Sequence, residues 1–150
     1  MNIVLYQPEI PHNTGAIGRT CLVTNSSLHL IRPYGFHLDE KSRKRAGLDY
    51  WDKIRVYEYD DFQDFLDKNI NLNMYFIETM GNKLYSEAVF NENDYLIFGS
   101  ETKGLPQKLI NEYIEHVIKI PMIGEARSLN LSVSVGIVLY EALKQTGFKL

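Results

Sequence analysis

Short apolar runs rich in β-formers alternate with helix-like stretches along nearly the whole chain, and this rhythm narrows the possible folds. The runs are NIVLYQ (residues 2–7), LHLIRP (28–33), IRVYEY (54–59), NMYFIET (73–79), DYLIFG (94–99) and VIKIPM (117–122). Runs that short and that continuously apolar suit strands buried on both faces. Between them the pattern predicts a helix from Thr14 to about Thr24 with Asn13 as its N-cap, and another through the basic run at 41–45. Further helices are expected over 61–68, 106–113 and 126–143. Strand–helix alternation of this kind predicts an α/β fold, a mostly parallel sheet flanked by helices, as one domain over residues 1–150. At 150 residues the chain is long enough to bury a real core.

In such sheets ligands gather outside the carboxyl ends of the strands. Here those ends carry Thr79-Met80-Gly81, Gly99-Ser100-Glu101 and Pro121-Met122-Ile123-Gly124, three loops of small and polar residues that can converge on one pocket. The segment GSETKG, residues 99–104, lacks the spacer and the Gly-Lys-Ser/Thr ending of a phosphate-binding loop. No G-x-G-x-x-G follows the first strand either, so a dinucleotide fingerprint is absent.

Other chemistries find little support. The single cysteine, Cys21, excludes an intrachain disulfide and reads as a small buried hydrophobe. His12, His29, His37 and His116 are scattered without metal-ligand spacing and read mostly as surface or loop residues. Ser128, Ser132 and Ser134 lack the nucleophile-elbow pattern. No apolar run approaches a membrane span, and the N-terminus shows no secretory signal, so a cytoplasmic protein is expected. The formal net charge of −3 argues against a general nucleic-acid binder. The sequence KSRKR nevertheless packs four cations into residues 41–45, and Lys41, Lys44 and Arg45 share a helical face. That face has two readings: a solvated surface or a phosphate contact. Arg19 has two as well, a solvated helix arginine or an anion- and ribose-binding group near the strand ends.

The last predicted helix differs from the others. Leu129, Leu131, Val133, Val135, Ile137, Val138, Leu139, Ala142 and Leu143 cover nearly its whole circumference. A helix apolar all round needs cover all round, so one side is expected on the sheet and another on a second subunit. A homodimer is the expectation.

Three ordered blocks resemble the SPOUT (SpoU–TrmD) RNA methyltransferases: PEIPHNTGAIGRTC (8–21), LIFGSETKGLP (96–106) and IPMIGEARSLNLSVSVGIVLYEAL (120–143). RKRAGLDYW (43–51) is similar to the small TrmL-like subgroup, which methylates the ribose 2′-hydroxyl of the wobble nucleotide, cytidine or modified uridine, in certain tRNAs, leucine tRNAs among them. The resemblance implies a C-terminal deep trefoil knot, and a homodimer through the knot and the C-terminal helix with active sites at the subunit interface. It also implies tRNA as partner and S-adenosylmethionine as cofactor, with no metal. By matching position the cofactor contacts are Ile77, Thr79, Gly99, Glu101, Gly104, Ile120, Met122, Ser128, Leu129 and Asn130. The catalytic set is Arg19, Glu101, Ser128 and Asn130, with Glu101 holding the interface or Arg19 in place. RNA contacts fall to Arg19, Lys41, Arg43, Lys44, Arg45 and Arg127.

His12 and Gly18 depart from residues common at those positions and border Arg19. Competing readings are a 2′-O-methyltransferase of ribosomal RNA or another tRNA position, a non-catalytic RNA-binding module, and a flavodoxin-like small-molecule binder.

Overall fold

The computed structural model describes residues 1–37 and 50–148. The strands are β1 (Asn2–Tyr6), β2 (Ser27–Ile31), β3 (Val56–Tyr59), β4 (Met74–Ile77), β5 (Lys83–Leu84), β6 (Tyr95–Phe98) and β7 (Val117–Lys119). They form one sheet in the order β3-β2-β1-β6-β4-β7-β5, with every pairing between named strands parallel. The helices among the described residues are α1 (Pro11–Val23), α2 (Phe62–Lys68), α3 (Gln107–Glu112) and α4 (Leu131–Gln145). The expected α/β architecture is present. The helix expected through Lys41–Arg45 lies outside the described residues.

Burial on both faces explains why the strands read as continuous apolar runs. Ile3, Leu5, Leu28, Leu30, Leu96 and Phe98 face a core completed by α1 and α4, whereas Val4, Ile31, Phe76 and Ile97 face one completed by Phe65 of α2. Cys21 is fully buried in the first core, and burial pushes its thiol up to about 12. His12, His37 and His116 are exposed, but His29 is 3% exposed within β2. There Nδ1 meets the Tyr59 hydroxyl at 2.8 Å and Nε2 meets Asn2 Oδ1 at 3.2 Å.

Two helix starts differ from the sequence expectation, in opposite senses. Helix α1 begins at Pro11, not Thr14, because proline's fixed φ suits the first helical turn. Asn13 is therefore inside the helix and buried, not its cap. Helix α4 begins at Leu131, not Ala126. Asn130 caps it, its Oδ1 accepting from the backbone N–H groups of Ser132 at 2.9 Å and Val133 at 3.4 Å. Residues 126–130 form a loop instead.

Nor is α4 covered all round within one chain. Val135, Val138, Leu139 and Ala142 are buried, while Val133 and Tyr140 remain about half exposed at 49% and 48%. The two-residue strand β5 and the turn Tyr85–Glu87 were not expected, being too short to leave a periodic signal.

Candidate active site

The loops after β4, β6 and β7 meet the N-terminal end of α4 around a cavity of about 540 Å³. Each loop is fixed by local chemistry. After β6 the chain doubles back, with Gly104 N–H donating to the Ser100 carbonyl at 2.9 Å. This turn passes so close to Gly99 that a Cβ there would lie 2.1 Å from the Gly104 carbonyl carbon. Gly104 adopts φ +65°, a left-handed conformation that glycine takes without strain.

Three carboxylates then tie the loops together. Glu101 accepts from the backbone N–H groups of Glu9 at 2.7 Å and Ile10 at 3.1 Å, and from the Asn13 amide at 3.1 Å. Glu9 reciprocates, accepting from Thr102 N–H at 3.0 Å and from its hydroxyl at 2.7 Å. Glu78 accepts from Leu105 N–H at 2.6 Å. Asn130 donates to Asn13 Oδ1 at 3.1 Å, so the first and last helices share this network.

Each of the ten sequence-derived cofactor positions lines this one cavity: Ile77, Thr79, Gly99, Glu101, Gly104, Ile120, Met122, Ser128, Leu129 and Asn130. Arg127 joins them there. Ile77, Ile120, Met122 and Leu129 supply apolar walls, and Thr79, Gly99, Ser100, Glu101 and Gly104 of the strand-end loops line the cavity beside them. A site of this volume, with apolar walls beside many convergent polar groups, suits a small ligand carrying a flat ring and a polar tail.

Arg19 is not brought to it. The residue is exposed, six positions beyond Asn13, hence about 9 Å further along α1 and roughly 240° around its axis. Its guanidinium lies over the Tyr50 ring, 4.8 Å from the centroid. Glu101 spends its oxygens on Glu9, Ile10 and Asn13, so it does not hold Arg19 within the chain. Lys41, Arg43, Lys44 and Arg45 lie outside the described residues.

Sequence reasoning missed Asn13, Glu9 and Glu78. Asn13 looked like a cap, and carboxylates that accept backbone N–H groups from distant loops leave no local pattern. Among the described residues, no group of three or more His, Cys, Asp or Glu could hold a metal ion. No described helix is long and apolar enough to cross a membrane.

A parallel sheet whose carboxyl edge and terminal-helix cap enclose one polar-rimmed cavity defines a small-ligand-binding α/β protein. The chain belongs to the SpoU rRNA Methylase family, whose model matches residues 1–140. A Listeria innocua relative is 48% identical over 150 residues, covering 98% of this chain and 89% of its own. The tRNA (cytidine(34)-2'-O)-methyltransferase of Escherichia coli K12 is 43% identical over 149 residues, covering 99% of this chain and 95% of its own. A solved structure concerned with the 2-OH methylation of C/U34 on tRNA has a TM-score of 0.91 at 44% identity, covering 97% of this chain and 95% of its own.

Proposed function

We propose that this chain is an S-adenosylmethionine-dependent tRNA methyltransferase acting on the ribose 2′-hydroxyl of nucleotide 34. The observation that carries the reading is that the ten cofactor positions implied by the family resemblance, from three strand ends and a helix cap, all line one cavity. The relatives' activity on cytidine 34 of tRNA supports the choice of substrate. Residues 1–150 work as one methyltransferase domain, a cytoplasmic enzyme as its tRNA substrate requires.

When bound, S-adenosylmethionine supplies an electrophilic methyl carbon; the chain's own residues bind, orient and stabilise charge. Ile77, Ile120, Met122 and Leu129 would sandwich the adenine and backbone groups of Thr79, Gly99 and Glu101 would meet its polar edge, while Gly104, paired with Ser100, shapes the turn beside it. Ser128 and Asn130 orient the cofactor and the ribose. Glu101 works as a positioning group, since its oxygens hold the β1–α1 loop and Asn13.

Arginine is too basic to serve readily as a general base, so Arg19 orients the hydroxyl's neighbourhood and stabilises developing negative charge. Because Arg19 faces away from its own cavity, the reading requires a homodimer in which Arg19 of the partner subunit completes each site. The half-exposed apolar residues of α4 support that interface. Family membership supports a deep trefoil knot in the C-terminal third, which an experimental density map traced through residues 78–131 tests. Lys41, Arg43, Lys44, Arg45 and Arg127 contact the RNA backbone, so replacing them weakens tRNA binding and flattens its salt dependence.

Nucleoside mass spectrometry of bulk tRNA from cells with and without the gene tests the reading. Loss of a 2′-O-methylated wobble nucleotide supports it. Unchanged tRNA with altered ribosomal RNA moves the activity to a different substrate.

A further inference from the structure

Tyr50 and the helical turn Trp51–Lys53 dock on α1 by three contacts that bear on Arg19. The Tyr50 hydroxyl donates to the Gly15 carbonyl at 2.9 Å, which fixes the phenol ring against the helix. Trp51, buried at 6% exposure, packs over Gly18, where a Cβ would lie 3.0 Å from its ring and 2.9 Å from Ile54. The Tyr50 ring lies under the Arg19 guanidinium at 4.8 Å. This is within the roughly 6 Å over which a cation is held by the face of an aromatic ring.

We infer that Tyr50 is a positioning residue for Arg19, an assignment that rests on the proposed methyl transfer and on the part Arg19 plays in it. A long arginine side chain on a helix surface samples many rotamers in water. An aromatic platform selects a subset of them without consuming hydrogen-bond donors. No hydrogen bond or ion pair from another described residue claims the Arg19 N–H groups. Held over the ring face, the guanidinium keeps its N–H donors free for an anionic or hydroxyl partner. Gly18 belongs to the same arrangement, because a Cβ there would press on the Trp51 ring and on Ile54, next to Tyr50 in the chain.

Methyl transfer to tRNA by the full-length protein tests the assignment, with turnover, cofactor affinity and unfolding midpoint measured together. Tyr50→Phe keeps the ring and should retain kcat within about threefold. Tyr50→Leu removes it and should lower kcat about 10- to 100-fold, the cost expected of a small misplacement of a catalytic group. Cofactor affinity should be unchanged in both.

The double variant Arg19→Ala/Tyr50→Leu should be no slower than Arg19→Ala alone. Equal losses in Tyr50→Phe and Tyr50→Leu, or full turnover in Tyr50→Leu, would overturn the inference. Should Tyr50→Leu not fold, successive fluorination of a phenylalanine at position 50 weakens the ring's attraction for a cation while keeping its shape. A stepwise fall in kcat supports the assignment and a flat series overturns it. Arg19→Ala run alongside separates the two levels. Full turnover there sinks the arginine-centred mechanism itself, whereas its loss beside an unaffected Tyr50→Leu sinks the Tyr50 assignment alone.

Discussion

Asn130, the cap of the last helix, donates its side-chain amide to Asn13 of the first helix at 3.1 Å, across 117 positions of sequence. Asn13 passes the connection on by donating to Glu101 at 3.1 Å. Cavity wall, helix cap and the helix that carries Arg19 are thereby set in one arrangement.

Asn13→Ala should cost about 1–3 kcal/mol of stability, because it removes the two hydrogen bonds that the buried Asn13 side chain makes to Asn130 and Glu101. S-adenosylmethionine affinity should fall with it. Denaturant unfolding and calorimetry measure both, and unchanged values would show that the network does not shape the cavity.

Gly99→Ala should be far more damaging than an ordinary glycine substitution in a loop. Its Cβ would meet backbone atoms of Gly104 and Leu105 at 2.1 and 2.3 Å, which cannot swing aside like a side chain. A loss of about 3 kcal/mol or more, or insoluble protein, is expected. A stable Gly99→Ala that still binds the cofactor would contradict the tight crossing.

Stability should decline as pH falls from about 6.5 towards about 4. Burial lowers His29 from 6.5 to about 4, so the folded state holds the ring neutral while the unfolded chain takes up a proton. The contribution is fully present above 6.5 and is lost on going down through the folded value, amounting to about 3 kcal/mol at most. Thermal midpoints at pH 7.5 and pH 5 should differ in the parent and differ less in His29→Gln.

Much of the site was legible because its residues sit in contiguous blocks. Ile120 and Met122, and Ser128, Leu129 and Asn130, follow one strand; Gly99, Glu101 and Gly104 follow another. A parallel sheet brings such strand ends to one edge. The non-local parts were not legible. Leu129 extends the apolar pattern of α4, so periodicity alone runs the helix back through it, whereas the Asn130 cap decides the boundary. Arg19 lies in the same block as Asn13, and only the helical turn between them shows that one faces the cavity and the other faces away.

The exposed side of α4 predicts an interface. Tyr140→Asp puts a charge on a face where Val133 and Tyr140 are about half exposed. Sedimentation at micromolar concentration should show a dimer for the parent and a monomer for the variant, whose turnover should collapse. A monomeric parent with full activity would remove the need for Arg19 of the partner subunit.

The most direct test combines the purified protein, S-adenosylmethionine and unmodified tRNA transcripts, with the products resolved by mass spectrometry of nuclease fragments. The predicted result is one methyl group on the ribose of nucleotide 34, absent with Arg19→Ala. A methyl group on a base or at another tRNA position, or incorporation only into ribosomal RNA, would contradict the account.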